Sequence, residues 1–309
     1  MRITIAGGSG FIGRRLVQVL LEQNHTVQVL SRDPATTAKT LASSPRLGTA
    51  GYNPLDPTSW ADKLQGSDGV INLVGAPLAG VRWTPERKVE IRRSRVEVTA
   101  ALVQGLAQLD QKPQVLINSS AIGYYGPRDD TALVETSAPG EGFLAQLTQD
   151  WESAAQPAQE LGIRVVMLRT GIVLAAEGGA LAQMVGPFQA FMGGPIGQGS
   201  QWLSWIHRDD LVKLIVFALQ TEGVSGVLNG TAPEPLTMAD FCHTLGQVMG
   251  RPSWLPVPEI ALEMLFGEAA QVVLTGQRVL PAAAETAGFQ FTYPQLKPAL
   301  TEILVTPHS

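Results

Sequence analysis

The sequence predicts an α/β protein, a doubly wound parallel sheet followed by a smaller, mainly helical C-terminal lobe, on three observations. Short apolar runs at 2–6, 26–30, 69–74, 114–118 and 164–168 alternate with stretches of helical periodicity, which is the pattern of repeated β-α-β units. The first run passes directly into glycines at positions 7, 8, 10 and 13. The chain's 309 residues, 45% of them hydrophobic, suffice for one large sheet domain with a lobe beside it.

Taken in order, Arg-Ile-Thr-Ile-Ala at 2–6 reads as a buried strand. Gly7 permits a tight strand-to-helix turn, Gly10 lets the backbone approach a pyrophosphate, and Gly13 lets the following helix pack on the strand, as in a Rossmann dinucleotide site. Phe11 and Ile12 open that helix, and Leu16, Val17, Leu20 and Leu21 continue its apolar face. A second strand over Thr26 to Leu30 ends in Ser31-Arg32. There an acidic residue would bond the ribose of NAD, whereas Arg32 and the Ser31 hydroxyl suit the extra phosphate of NADP(H). Asp33 is the rival, since a small change of register would set it at the ribose.

The strand at 69–74 (Gly-Val-Ile-Asn-Leu-Val) and those at 114–118 and 164–168 enclose helical crossovers at about 84–108 and 142–161. From about 175 the texture turns rich in glycine, with Glu177-Gly178-Gly179 and the run Gly193 to Gly199, which predicts loops and a cleft lid. A helix over Asp209 to Leu219 and a short strand near Gly226 to Asn229 return to the sheet, and the chain reads as helical from about 236. The expected division is an NADP-binding Rossmann domain over 1–235, with a cleft-lid insertion at about 175–206, and a helical substrate-side domain over 236–309.

Composition narrows the partners. The net charge of −5 comes with one basic cluster, Arg87 to Arg95, interleaved with Val89, Ile91 and Val96. That stretch reads as a solvated helix face, and nucleic acid is excluded. The sequence has no apolar run of membrane-spanning length and enters a strand by Ile3, so a cytoplasmic protein with no membrane partner is expected. One cysteine and four scattered histidines leave no intrachain disulfide and no metal-ligand spacing, and Cys242 beside His243 reads as helix packing.

With these motifs the chain resembles the extended short-chain dehydrogenase/reductases, and within them the atypical, sugar-epimerase-like subfamily U described as NAD-dependent epimerase/dehydratase. The resemblance rests on Gly-Gly-Ser-Gly-Phe-Ile-Gly at 7–13, Ser-Arg-Asp-Pro at 31–34, Ile-Asn-Leu-Val-Gly at 71–75, Ser-Ala-Ile-Gly-Tyr-Tyr-Gly at 120–126, Leu-Arg-Thr-Gly-Ile-Val-Leu at 168–174 and Trp-Ile-His-Arg-Asp-Asp at 205–210. It implies that Leu73 and Val74 border the adenosine and ribose. Glu90, Arg95 and Leu174 would reach the cofactor from other sides, and the C-terminal helices would be the subfamily's own small domain. It also implies a homodimer through the two long helices, against which the basic 87–95 stretch counts.

In active relatives a serine after the fifth strand orients substrate while a tyrosine, with a lysine four residues on, exchanges its proton. Ser120 holds the serine position, but residues 143–152, Phe-Leu-Ala-Gln-Leu-Thr-Gln-Asp-Trp-Glu, contain neither tyrosine nor lysine. The one literal match, Tyr293 to Lys297, includes Pro294 and lies in the C-terminal lobe. Tyr124 and Tyr125 are near enough to Ser120 to face the same cleft as acid or as substrate contacts. His207 could titrate there or could start a helix, and Trp202 and Trp205 could stack on a ligand or pack an interface. The leading expectation is an NADP(H)-dependent epimerase-like oxidoreductase or isomerase acting on a small hydroxyl- or carbonyl-bearing metabolite. The alternative is a catalytically reduced NADP(H)-binding regulator or scaffold of the cell-division-inhibitor type. A nucleotide-sugar substrate is weakened because Arg169 and Arg208 are the few basic residues at hand for its pyrophosphate.

Overall fold

Seven parallel strands set the frame of the computed structural model, which describes residues 1–78 and 80–306. They are β1 (Arg2–Ala6), β2 (Thr26–Ser31), β3 (Leu47–Gly51), β4 (Gly69–Asn72), β5 (Val115–Ala121), β6 (Arg164–Thr170) and β7 (Gly226–Gly230). Across the sheet they lie in the order β7-β6-β5-β4-β1-β2-β3. The order reverses between β1 and β4, and in such sheets the crevice above that reversal is where ligands bind.

Both faces of the sheet are covered, which is why its inner strands read as continuous apolar runs. On one face Ile3, Ile5, Val27 and Val29 pack with α1 (Phe11–Glu22) and with α8 (Arg208–Gln220). On the other, Ala6, Leu30, Val70, Leu116 and Val165 pack with α3 (Pro57–Leu64) and α5 (Val98–Ala107). Strand β3 is absent from the sequence reading: Leu-Gly-Thr-Ala-Gly has no alternation and lies half-exposed at the sheet edge.

The crossover expected at 84–108 is α4 (Pro85–Arg92), a single π-helical turn (Arg93–Glu97) and α5. The second is α6 (Phe143–Ala155) followed by a 3-10 segment over Gln156–Leu161. Part of the stretch read as glycine-rich loop is helical: α7 spans Gly179–Gln189, burying Leu181 and Phe188 at helical spacing, with Pro187 inside it. The glycines at 193–194 serve close packing, since a Cβ at Gly194 would lie 2.2 Å from the Leu255 carbonyl oxygen.

The C-terminal part is helical, with α9 (Met238–Met249), α10 (Glu259–Phe266), α11 (Gln271–Leu274), α12 (Ala282–Thr286) and α13 (Leu296–Val305). Leu296, Ala299, Leu300 and Ile303 of α13 pack on Phe241, Cys242 and Leu245 of α9. Among the anchors that tie it to the sheet domain, the Asp210 carboxylate accepts from the Thr292 and Tyr293 amides, and Arg278–Val279 pairs in parallel with Ala132–Leu133. Among the described residues no helix is long and apolar enough to cross a membrane.

Candidate functional site

The turn after β1 is built for an anion. Gly7 has φ +84°, and a Cβ there would lie 2.9 Å from the Leu73 carbonyl; a Cβ at Gly13 would lie 2.3 Å from the Gly7 oxygen, so α1 rests directly on the turn. Gly10 caps α1 without a side-chain bond, and the first turn holds no acidic residue. The Phe11, Ile12 and Gly13 amides therefore keep the unpaired donors of a helix start, aimed at the crevice. Gly178 and Gly179 close over the Phe11 ring, where Cβ atoms would come within 2.9 and 3.3 Å of it.

At the end of β2 the rivalry between Arg32 and Asp33 has a geometric outcome. Asp33 caps α2 (Pro34–Thr40) by accepting from the Thr36 amide at 3.0 Å, and the Thr36 hydrogen bonds hold its carboxyl below the usual range. The Ser31 hydroxyl accepts from the Asp33 amide and from the Thr37 hydroxyl, leaving its own hydrogen to donate outward. Arg32 is exposed and has no hydrogen bond or ion pair among the described residues.

After β4, Leu73 donates its amide to Ala6 and Val74 donates its amide to the Asn72 side chain, which carries the chain over the crevice. The loop then meets the π-helical turn, where the Ala76 amide donates to the Ser94 hydroxyl and the Arg95 guanidinium donates to the Ala76 and Ile91 carbonyls. Extra residues in a helical turn re-aim side chains, and here Arg95 is only 8% exposed while its basic neighbours face solvent. The reading of 87–95 as a solvated face is corrected at that position. Arg95 has no carboxylate partner among the described residues, and desolvation brings it down to about 10. Glu90 is exposed and paired with Arg87 at 2.6 Å.

Behind the crevice lies a buried polar network. Ser120 donates to Glu152 at 2.6 Å, and Arg169 donates to both Glu152 oxygens at 2.8 Å. Arg169 also donates to the Tyr125 hydroxyl, which in turn donates to Asn229 at 2.8 Å. Desolvation would lower Arg169, but Glu152 outweighs it and holds the guanidinium above its ordinary value. Tyr125 is wholly buried, and burial pushes its phenol up against the opposing pull of Arg169. Tyr124 is half-buried, with its ring face 3.3 Å from the Arg169 guanidinium carbon and its hydroxyl without a partner among the described residues. Glu152 is the member that sequence reasoning missed. Its signal was present, because Ala145, Thr148, Glu152 and Ala155 share the buried stripe of α6.

With its hydrogen committed to Glu152, the Ser120 oxygen presents lone pairs, so it is set to accept from a hydroxyl. The two arginines considered for a second pyrophosphate are both engaged: Arg169 in this network, and Arg208 with Glu177 at 2.9 Å. His207 starts α8, accepting from the Asp209 amide and bonding Glu302 at 2.8 Å. Tyr293 stacks on that histidine before α13, far along the chain from α6. Trp205 is buried in the core, while half-buried Trp202 donates to Asp130.

Beside the crevice is a cavity of about 760 Å³. Its lining includes Gly75, Arg95 and Leu174, side chains of α7, α9 and α10, and residues of the segments 194–203 and 269–275. Ser120, 4% exposed, is not among the residues of its wall.

Residues 3–229 match the model of the NAD dependent epimerase/dehydratase family, and residues 257–303 match a domain of unknown function, DUF1731. The chain is 44% identical to the chloroplastic "epimerase family protein SDR39U1 homolog" of Arabidopsis thaliana over 98% of this chain and 87% of that protein. It is 39% identical to the epimerase family protein YfhF of Bacillus subtilis, over 98% of each. Among solved structures, the human epimerase family protein SDR39U1 with NADPH superposes with a TM-score of 0.84 at 34% identity, over 98% of this chain and 99% of that one.

Proposed function

The chain belongs to the NAD dependent epimerase/dehydratase family, and from that premise we propose that it is an NADP(H)-dependent epimerase-like oxidoreductase or isomerase acting on a small hydroxyl- or carbonyl-bearing metabolite. The observation that carries the cofactor reading is the end of β2, where Asp33 is spent as a helix cap while the Ser31 hydroxyl and the Arg32 guanidinium stand free for a phosphate. The unpaired amides of α1 would hold the pyrophosphate, Leu73 and Val74 would border the adenosine ribose, and Arg95 and Leu174 would flank the far end. Bound NADP(H) supplies hydride transfer. Glu90 is the weakest member of this set, its carboxylate being exposed and already paired.

On the protein's side, Ser120 accepts from a substrate hydroxyl and is fixed by Glu152 and Arg169. Tyr124, with its unpartnered hydroxyl, is the proton donor, and Tyr125 is a positioning residue that buttresses Arg169. The reading retains a cytoplasmic setting, although the plant relative is named as chloroplastic. The test is titration with NADPH and NADH, repeated on Arg32→Ala. Loss of about 1.5–3 kcal/mol for NADPH, with NADH unchanged, is expected for a charged hydrogen bond to phosphate. Equal binding of both nucleotides by the native chain would sink the NADP(H) assignment.

A second reading, a regulator that binds NADP(H) without turnover, is favoured by α6, which carries no tyrosine and no lysine. Turnover of NADPH with a carbonyl panel that is lost in Ser120→Ala and Tyr124→Phe separates the two. Tight binding with no turnover supports the regulator.

A further inference from the structure

We propose that the 760 Å³ cavity receives the apolar body of a small hydroxyl- or carbonyl-bearing substrate, such as the chain of a medium-chain ketone or its alcohol, in place of a nucleotide sugar. The proposal rests on the oxidoreductase reading, because Arg95 and Leu174, both on the cavity's wall, are among the residues assigned to the cofactor.

The size is that of a small-molecule site, typically about 300–1,000 Å³. The walls are hydrocarbon and aromatic, from Met184, Phe188, Leu203, Phe241, Val257 and Phe266. Arg95 is the one cationic side chain among the lining residues. A nucleotide sugar brings two phosphates and a polar ring, which need several cations and free donors. The polar side chains on the wall are mostly spent within the protein. Gln201 donates to the Ile196 and Val273 carbonyls, and the Thr275 hydroxyl donates to Gln271. An apolar ligand leaves these bonds intact, whereas a sugar would have to break them.

The mouth continues the same chemistry. Helix α10 has no buried residue; Leu262 and Phe266 face the cavity while Ile260, Met264 and Leu265 are 64–75% exposed. Met192 and Trp254, also exposed, flank the Gly193–Gly194 contact where the Trp254 and Leu255 amides donate to the Gly193 carbonyl. Exposed apolar surface that runs into an apolar cavity marks a ligand route.

The experiment is calorimetric titration of the full chain, with NADPH present, by 2-alkanones from butanone to 2-undecanone and by UDP-glucose. Affinity is expected to rise about four-fold per methylene, the equivalent of about 0.8 kcal/mol. Leu262→Gln should flatten that rise with NADPH affinity unchanged; Met184→Gln serves the same purpose should the first variant fail to fold. A flat series, tighter binding of UDP-glucose than of any ketone, or a rise that persists in both variants overturns the proposal. The two readings fail separately. NADPH binding with a flat series removes the apolar ligand alone, whereas a rising series without NADPH binding keeps the apolar site and removes the cofactor reading.

Discussion

Arg169 and Glu152 meet through two parallel hydrogen bonds of 2.8 Å, with side chains only 3% and 8% exposed. A pair this buried gives up hydration on both sides, so its net contribution is small while the loss of one partner is large. Glu152→Gln leaves the Arg169 charge buried without its counter-charge and should cost about 3–5 kcal/mol in urea unfolding. The double replacement Glu152→Leu with Arg169→Met should recover most of that loss. Equal stability of the single variant and the native chain would remove the network from its structural role.

The same pair shows where sequence reading stops. Glu152 and Arg169 lie 17 positions apart, and only the packing of α6 against the register of β5 on β6 brings them together. By contrast β1, the glycine turn, α1 and β2 were legible, because apolar strand runs and helix periodicity are local and Gly7 and Gly13 have a steric reason visible in the spacing. β3 was not legible because a half-exposed edge strand needs little hydrophobic pattern. The basic pattern of 87–95 makes a solvated face, and only the family resemblance sets Arg95 at the cofactor, since the π-helical turn that carries it inward is a tertiary feature. The roles of Ser31 and Arg32 were open until Asp33 proved to be a cap.

Gly13 and Gly48 should respond oppositely to alanine. A Cβ at Gly13 meets backbone at 2.3 Å, whereas one at Gly48 on edge strand β3 meets nothing within 4 Å. Gly13→Ala should destabilise by about 2–3 kcal/mol through forced backbone shift and weaken NADPH binding. Gly48→Ala should stabilise by about 0.4–1 kcal/mol by restricting the unfolded chain. Paired thermal melts with and without NADPH check both.

The Arg15–Asp209 pair gives an acid-side pH dependence. Burial pushes the Asp209 carboxyl up, but the hydrogen bonds from Arg15 and the charges of Arg15 and Arg208 outweigh it, so the folded value lies below the ordinary one. A depressed carboxyl contributes stability that is present above the unfolded value, about 3.9, and is lost as pH falls through the folded value. Both partners are about a quarter exposed, so the effect is screened to about 0.5–1 kcal/mol. Asp209→Asn should lower the melting temperature near pH 6 and flatten its fall below about pH 4. A parallel displacement of the whole curve would refute this linkage.

Arg95 sets stability against binding. A guanidinium that desolvation has brought down to about 10, with carbonyls but no carboxylate around it among the described residues, is a charge held at a cost in the free protein. Because its folded value lies below its unfolded one, the penalty is full below pH 10 and fades as pH rises through that value. Arg95→Met keeps the packed stem and removes the charge. The Ile91 and Ala76 carbonyls lose a donor, which offsets part of the gain, so a net stabilisation on the order of 1 kcal/mol is expected without cofactor. With NADPH the order should reverse, since an anion near Arg95 makes the native chain gain more from saturating cofactor than the variant does. Melting temperatures of the two proteins, with and without NADPH, decide the matter: a variant that is less stable in both conditions would show Arg95 to be a packing residue, and one that gains as much from NADPH would place the cofactor's anionic groups elsewhere.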